Sequence, residues 1–320
     1  MTDVEVSTDR TDIQKRAQET ANKPGLRNTL LLILVTMIWG GTFLVVKDTV
    51  KISGPFTFLA LCYSIGTLAL AVIFRKRLLR ITRVEVFAGL LIGIFLFAGY
   101  ALQTTGLQYT TVSKAGFLTG LYVPLVPVFS FLLLRQKPTF GAIIGVVCSL
   151  IGLIILSVNS TFNLVFGLGE VLLLGCSVAF ALQIICISRF APHVDAINLA
   201  IVQLALTAVL SFVAMPIMGE TYRIPPLVVW VAVVFMGMAD IAFCLLIMNW
   251  VQQFISGNRA TLIYALEPMW AALFGYVLAG ETLSLFAWIG CAFILLGMIA
   301  GGIRLSSFKT PKHQPATDND

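Results

Sequence analysis

Ten long apolar runs, separated by short polar connections, dominate the pattern of hydrophobic and polar positions along the chain. A helix that crosses a bilayer needs roughly 20 mostly apolar residues, and helices that are apolar on every side are not surface helices of soluble proteins. The pattern therefore predicts an all-α polytopic membrane protein with ten transmembrane helices. The predicted spans are 28–47, 55–74, 85–105, 113–134, 139–157, 168–189, 196–217, 227–249, 259–279 and 283–304.

The composition supports lipid as the solvent of this chain. Apolar residues make up 58% of the 320 residues and charged residues only 11%, whereas soluble domains carry about 25% charged residues. The net charge of +6 raises nucleic acid as a partner. However, the basic residues form short clusters between the apolar runs, which indicates membrane topology instead. We expect a lipid bilayer and no nucleic acid as partner.

The placement of Lys and Arg predicts the orientation in a bacterial inner membrane. If the N-terminus is cytoplasmic, 17 of the 21 basic residues lie in cytoplasmic segments and 4 lie on the other side. This asymmetry favours both termini inside and an even number of helices. Residues 1–27 lack the apolar run of a signal peptide, and they are expected to form a disordered cytoplasmic tail, as are residues 305–320.

An internal repeat underlies the ten runs. At an offset of 144 residues, Gly93 falls on Gly237, Gln108 on Gln252 and Pro124 on Pro268. The predicted units are residues 28–157 and residues 168–304, with five helices each. Because five is odd, the second unit enters the membrane from the opposite side. Such an inverted repeat lets one sequence pattern adopt two related conformations, each open to one face.

Four short motifs carry a resemblance to a known family: residues 39–43 (WGGTF), 106–110 (GLQYT), 266–268 (LEP) and 280–284 (GETLS). Together with the duplicated ten-helix pattern over residues 28–304, they resemble the EamA-type transporters of the drug/metabolite transporter (DMT) superfamily. The resemblance implies a basket of two inverted repeats. It also implies export of amino acids, related metabolites or toxic compounds by alternating access.

The first half departs from the family pattern in three places. Cys62-Tyr63 stands where the family often has an Arg-aromatic pair, and Val123 precedes Pro124 where the family often has Glu. Gln136 stands where the family often has Glu after the fourth helix. Charged binding roles are therefore not carried over to the first half.

Two acids lie well inside predicted spans, where a charge costs about 2.5–3.5 kcal/mol on insertion scales. Asp240 is near the middle of the eighth run, and Leu96 is its counterpart in the first repeat. We interpret Asp240 as a protonation site or as a counter-charge for a cationic substrate. The alternative is a hydrogen-bonded or protonated Asp that ties the eighth helix to a neighbour.

The second acid, Glu267, precedes Pro268, which leaves the carbonyl of Tyr264 without its helical donor. Tyr264, Glu267 and Trp270 recur every three residues and can share one helix face. An acid between two aromatic rings could hold an ammonium group by charge and cation–π attraction. The alternatives are pairing with Arg259 or capping of the kink.

Breaks and polar side chains indicate a central pathway. Pro124 breaks the fourth run at the position where Pro268 breaks the ninth, and broken helices at membrane depth are tolerated beside a wet cavity; a bend without a binding role is the alternative. Polar and aromatic candidates for the same pathway lie on the first, third and sixth runs, although each could instead join helices together. These candidates are Thr36, Trp39, Tyr100, Gln103 and Gln183.

Small residues and cysteines are assigned to packing. Gly141/Gly145, Gly89/Gly93 and Gly297/Gly301 are spaced by four, which permits close helix contact within the chain first and within a homodimer as an alternative. The six cysteines lie inside apolar runs without CxxC spacing, as inert packing residues do.

Enzyme, channel and scaffold are the competing classes. The chain has two histidines and no HExxH or P-loop motif, so we expect no metal, no cofactor and no catalytic residues. An inverted repeat with broken helices favours a carrier over a channel. We therefore predict a secondary transporter, an exporter of small organic metabolites or drugs. If protons are the coupling ion, Asp240 is the first candidate and Glu267 the second. An intramembrane enzyme and a non-transporting scaffold or sensor stay as alternatives.

Overall fold

The computed structural model describes residues 26–135, 140–156, 167–221, 224–255 and 257–302. Within these residues every regular element is helical and no strand occurs, which confirms the all-α class. Most of both predicted tails lies outside the described residues, and so does Gln136. Arg27, assigned to the N-terminal tail, belongs to the first helix.

Each predicted run is helical within the described part of the chain. The helices are α1 (Leu26–Ser53), α2 (Pro55–Ile73), α3 (Arg83–Gly106), α4 (Val112–Thr119 and Tyr122–Leu134), α5 (Phe140–Leu156), α6 (Leu168–Phe190), α7 (Ala196–Ile217), α8 (Leu227–Phe235, Met236–Cys244 and Leu245–Val251), α9 (Gly257–Tyr264 and Glu267–Ala279) and α10 (Leu285–Gly302). Among the described residues, eight spans are long and apolar enough to cross a membrane. Two shorter apolar helices, Ile143–Gly152 in α5 and Leu285–Ala300 in α10, complete the set.

The end of α1 differs from its predicted end. The apolar run was predicted to end at residue 47, where charged residues begin, but the helix continues to Ser53. It ends at Gly54, which has a φ of 82°, a left-handed conformation that glycine adopts without steric cost. Pro55 then begins α2, where its missing N–H is not needed. The last turns of α1 accommodate their charges because Asp48 and Lys51 are exposed and pair with each other, while Lys47 pairs with Glu281.

Proline explains the interruptions in α4 and α9. Pro124 cannot donate to the carbonyl of Gly120, and that carbonyl instead accepts the N–H of Val123 at 3.0 Å. In α9 the equivalent proline is Pro268, and the two helical segments meet between Tyr264 and Glu267. The predicted breaks therefore occur at equivalent places in both repeats.

The two halves pack with a pseudo-twofold relationship. Helix α2 packs on α7, α4 on α9 and α5 on α10, so three helices contact their own counterparts. Helix α3 packs against α6 and α7, while its counterpart α8 packs against α1 and α2. Exchanging the two halves therefore converts each of these contacts into another contact that is present. This contact pattern is the one expected of two repeats related by a pseudo-twofold axis.

Glycines of α5 and α10 allow these two helices to pack closely within the chain. A Cβ atom on Gly297 of α10 would lie 2.6 Å from the carbonyl oxygen of Gly145 in α5. A Cβ atom on Gly152 would lie equally close to the carbonyl oxygen of Gly290. The backbones of α5 and α10 thus approach each other so closely that a side chain at these glycine positions would not fit.

Two glutamates, each of which follows the C-terminal end of a helix, cap the N-termini of helices in the other half of the chain. Glu220, after α7, accepts the N–H groups of Phe56 and Thr57 at 2.9 and 2.8 Å at the start of α2. Glu281, after α9, accepts those of Val112 and Ser113 at 2.7 and 2.9 Å at the start of α4. These contacts satisfy unpaired N–H groups and place negative charge at the positive ends of helix dipoles.

Candidate functional site

Two adjoining cavities lie between the halves of the molecule. The first cavity has about 440 Å³ of empty space, part of it open to the surroundings, and the second has about 360 Å³. The two cavities share the side chains of Thr42, Phe43, Tyr100 and Gln103. The first cavity is lined by Trp39, Thr42, Phe43, Tyr100, Gln103, Tyr122, Phe180, Gln183, Ile184, Leu245, Met248 and Glu267.

Aromatic rings form a continuous cluster around the first cavity. Phe180 of α6 lies between Tyr100 of α3 and Tyr122 of α4, with ring centroids 5.2 and 6.4 Å apart and nearly perpendicular planes. Tyr122 continues to Tyr264, and Tyr264 to Trp39 at 5.5 Å. Edge-to-face contacts of this kind are favourable and hold each ring in place. The cavity wall therefore presents several fixed aromatic rings drawn from both halves.

Glu267 lies at the start of the second segment of α9, with 4% of its surface exposed. The hydroxyl of Tyr122 donates a 2.9 Å hydrogen bond to its Oε2 atom and also lies 3.5 Å from the carbonyl oxygen of Tyr264. That carbonyl is the one that Pro268 leaves without a helical donor. One tyrosine of α4 thus contacts both the acid and the backbone break of α9.

The expected grouping of Tyr264, Glu267 and Trp270 on one face is changed by the helix break. Tyr264 is fully buried against Trp39 and Tyr122, outside the lining of the first cavity. Trp270 stacks on Phe274 at 6.3 Å instead. The aromatic residue that contacts Glu267 is Tyr122. The side chain of Arg259, the alternative partner, lies outside what the structure describes.

Asp240 lines the second cavity with 1% of its surface exposed. Neither carboxylate oxygen accepts a hydrogen bond of standard geometry among the described residues, but the Trp39 side chain is close enough to interact with the carboxyl group. The residue lies in the π-helical segment Met236–Cys244, whose wider turns are frequent at functional sites. At this level α8 crosses α2 closely, since a Cβ atom on Gly237 would lie 3.0 Å from the carbonyl oxygen of Cys62. The hydroxyl of Tyr63, in the same cavity, is also unpaired within the described part of the chain.

The remaining predicted site residues divide into two groups. Trp39, Tyr100, Gln103 and Gln183 line the first cavity. The indole N–H of Trp39 and the side-chain amide nitrogen of Gln183 are buried without a hydrogen-bond partner among the described residues, an arrangement that costs free energy unless a ligand or water supplies the partner.

The second group lies outside both cavity linings. Thr36 is buried and donates to the carbonyl oxygen of Ile33 at 2.8 Å. Pro124 and Pro268 are buried at the breaks of their helices, and the ring of Pro268 packs against Gly120. The two prolines therefore affect the course of their helices and do not line either cavity.

Tyr122 is the site residue that sequence reasoning missed. It stands at the first position of the second segment of α4, two residues before Pro124. The expected break of α4 was the available signal, because Tyr122 begins the helical segment that follows the break. Its partner Glu267 is 145 residues away, so the contact exists only after the two halves have packed.

Comparison with known proteins gives consistent results. The model of the EamA-like transporter family matches residues 27–158 and again residues 167–300. An "Uncharacterized transporter" of Archaeoglobus fulgidus is 30% identical over 286 residues, which covers 86% of this chain and 85% of that protein. The "Uncharacterized transporter YoaV" of Bacillus subtilis is 24% identical, covering 87% of this chain and 97% of that protein.

A solved structure, described as "Crystal structure of protein", shares the fold. It superposes with a TM-score of 0.65 at 22% sequence identity, over 86% of this chain and 96% of the other. At this identity the likeness concerns the fold alone.

Proposed function

The chain belongs to the EamA-like transporter family, and from that premise we propose that this multi-pass membrane transporter is a secondary carrier that exports a small organic solute. One observation supports the proposal above the others. The two cavities, each with a buried acid, lie where the two inverted halves meet. A site at the interface of inverted repeats is where an alternating-access carrier binds its solute.

Alternating access draws support from the pseudo-twofold packing. Because the main helix contacts have counterparts in the other half, exchanging the conformations of the halves yields a second arrangement with equivalent main contacts. The broken helices α4 and α9 meet beside the first cavity through Tyr122 and Glu267. Their breaks are positions where short segments can change direction without unfolding a whole helix.

The proposed orientation follows the distribution of basic residues, with both termini on the cytoplasmic side of a bacterial inner membrane. In this orientation Glu220 and Glu281 lie at the extracytoplasmic end of the molecule. Glu85 and Asp195 lie at the cytoplasmic end, where Glu85 accepts the N–H of Asp195 at 3.0 Å. Each end therefore has its own carboxylate contacts between helices of different halves.

Proton coupling through Asp240 is the finer part of the proposal. A buried ionised carboxylate without a partner costs several kcal/mol, so the group needs a proton or a cation when the cavity is closed. A carrier with a proton site can couple solute export to the proton gradient by loading that site on one side only. Glu267 is the second candidate because Tyr122 already supplies one hydrogen bond to it.

The test begins with strains that overexpress the protein, grown on a panel of toxic amino-acid analogues and cationic drugs. A compound to which the strain becomes resistant is then followed in proteoliposomes containing wild-type protein or Asp240→Asn. We expect the variant to insert and fold normally and to lose transport driven by a pH gradient. Asp48→Asn is the matched control, because Asp48 is exposed and pairs only with Lys51 among the described residues.

Two results would contradict this proposal at different levels. Unchanged dependence on the pH gradient in Asp240→Asn removes Asp240 from coupling. Absence of solute flux in every reconstituted preparation, with or without a gradient, removes the carrier itself and leaves a scaffold or sensor.

A further inference from the structure

The charged side chains that line the two cavities are all acidic among the described residues. Their linings contain two carboxyl groups, Asp240 and Glu267, and no Lys, Arg or His among the described residues. Lys47, on α1, is directed to Glu281 at 3.5 Å, beyond the lining of either cavity. A bound anion would therefore meet negative charge without a compensating base, whereas a cation would meet opposite charge on a desolvated surface.

Glu267 is placed to contact such a cation directly. Among the described contacts its carboxylate accepts one hydrogen bond, from Tyr122 to Oε2, and no ion pair. The hydroxyl of Tyr122 fixes the carboxylate in one orientation, so a ligand need not order the side chain when it binds. An ammonium group at this position would supply the charge partner that the buried acid does not have among the described side chains.

Aromatic rings surround the same carboxylate. Tyr122, Phe180, Tyr100 and Trp39 line the first cavity together with Glu267. The faces of such rings attract cations, and the attraction is stronger when both groups are desolvated. An acid within an aromatic wall is a site for an organic cation, because inorganic cations of similar charge keep their hydration shells and prefer clusters of oxygen ligands.

The other residues of the lining indicate which chemical groups the rest of the ligand carries. Phe43, Ile184, Leu245 and Met248 add apolar surface, and methionine adapts its shape to different apolar groups. The unpaired side-chain nitrogen of Gln183 offers a donor for one uncharged acceptor of the ligand.

From these features we infer that the first cavity binds a monovalent organic cation. The cation is a protonated primary amine or a quaternary ammonium ion with a compact aromatic or apolar body. Its ammonium group lies at Glu267 and Tyr122. The inference rests on the proposed carrier function and names the substrate class of the same site. Zwitterionic amino acids and anionic aromatic acids are expected to bind worse, because the described linings would present their carboxylates with two acids and no base.

The test uses four probes with one aromatic body and different charge: 2-phenylethylamine, phenylalanine, 3-phenylpropionate and 2-phenylethanol. Affinities for the purified full-length chain in detergent are measured by calorimetry at pH 7, where the amine is a cation. We expect the amine to bind about tenfold or more tightly than each of the other three. Equal or tighter binding of phenylalanine or 3-phenylpropionate, or no detectable binding of the amine, overturns the inference.

Variants locate the cation. Glu267→Gln keeps the size of the side chain and is expected to weaken amine binding about tenfold or more while leaving binding of 2-phenylethanol within a factor of about two. Tyr122→Phe should weaken amine binding less, because the carboxylate stays. Asp48→Asn is the control on an exposed acid. If Glu267→Gln matches the wild type in circular dichroism and gel filtration, an unchanged amine affinity overturns the assignment. If Glu267→Gln does not fold, the assignment is overturned by an unchanged amine affinity in Tyr122→Phe.

Counterflow in proteoliposomes separates this inference from the carrier proposal. Binding of the amine without exchange of labelled amine across the membrane would support the site and contradict the carrier. Exchange of phenylalanine with no binding of the amine would support the carrier and contradict the substrate class.

Discussion

Removal of the Glu281 carboxylate tests how strongly the two halves are held together at one end of the molecule. Glu281 joins three helices: its oxygens accept the N–H groups of Val112 and Ser113 and the Ser113 hydroxyl at 2.7–2.9 Å, and Lys47 of α1 lies 3.5 Å away. Its side chain is only 10% exposed. The perturbations are Glu281→Gln, which removes the charge, and Glu281→Ala, which removes every acceptor.

The magnitude follows from the number and burial of these bonds. Hydrogen bonds to a charged group contribute about 1.5–3 kcal/mol each, and they are not additive. A lost N-terminal cap costs about 1 kcal/mol, with more for buried helix ends. We therefore expect Glu281→Gln to lower the free energy of unfolding by about 1–3 kcal/mol and Glu281→Ala by about 2–4 kcal/mol.

The pH dependence gives a second signature. Burial raises the pKa of Glu281, but the hydrogen bonds from Ser113 and Val112 and the charge of Lys47 outweigh it, so the pKa lies below its ordinary value of 4.5. A lowered folded pKa means that the contribution is fully present above the ordinary value. It is lost as the pH falls through the lowered value. The difference between wild type and Glu281→Gln should therefore be constant near neutral pH and shrink below about pH 4.

The assay is reversible unfolding in mixed micelles by titration with sodium dodecyl sulfate, followed by circular dichroism at several pH values. Asp48→Asn is the control: it removes an acid whose pair with Lys51 is largely exposed, and it should change stability by less than about 0.5 kcal/mol. A Glu281→Gln protein as stable as Asp48→Asn at pH 7 would refute the reasoning, and so would a difference that grows as the pH falls.

Two further changes use the same titration. Gly297→Ala places a Cβ against the carbonyl oxygen of Gly145 at 2.6 Å and should cost about 1–3 kcal/mol, while the control Gly41→Ala, whose Cβ would meet only the Phe274 ring at 3.5 Å, should not show this loss. Arg77→Ala breaks the 2.7 Å ion pair with Asp195, but the Arg77 side chain is 58% exposed. The free energy of unfolding should therefore fall by less than about 1 kcal/mol. A larger fall would contradict the view that solvent screens this ion pair.

Periodicity and breakers predicted much of the architecture. The ten apolar runs became helices because lipid offers no partner for a free backbone, so each run must satisfy its own N–H and C=O groups. The equivalence of Pro124 and Pro268 predicted where α4 and α9 break, since proline removes a donor in any surroundings. The family resemblance, carried by short motifs in a fixed order, is confirmed by the match of the family model to both halves.

The geometry of the candidate site could be predicted only in part. Trp39, Tyr100, Gln103 and Gln183 line the first cavity as expected. For the two glutamines the reason is that amide side chains in a lipid-embedded helix usually point inward, toward protein or water. The sharing of Tyr122 between Glu267 and the Tyr264 carbonyl could not be read from spacing, because the helix break rotates one segment relative to the other.

By itself, the sequence determined the helices, the repeat and the positions of the breaks, because these depend on the solvent and on the chain's own covalent geometry. Tertiary structure alone decided which acid meets which partner. Residues 145 positions apart become neighbours at Tyr122 and Glu267, and the π-helical turns around Asp240 form where α8 crosses α2, within a segment that contains no proline. Contacts of this kind depend on how two surfaces fit, which no local pattern encodes.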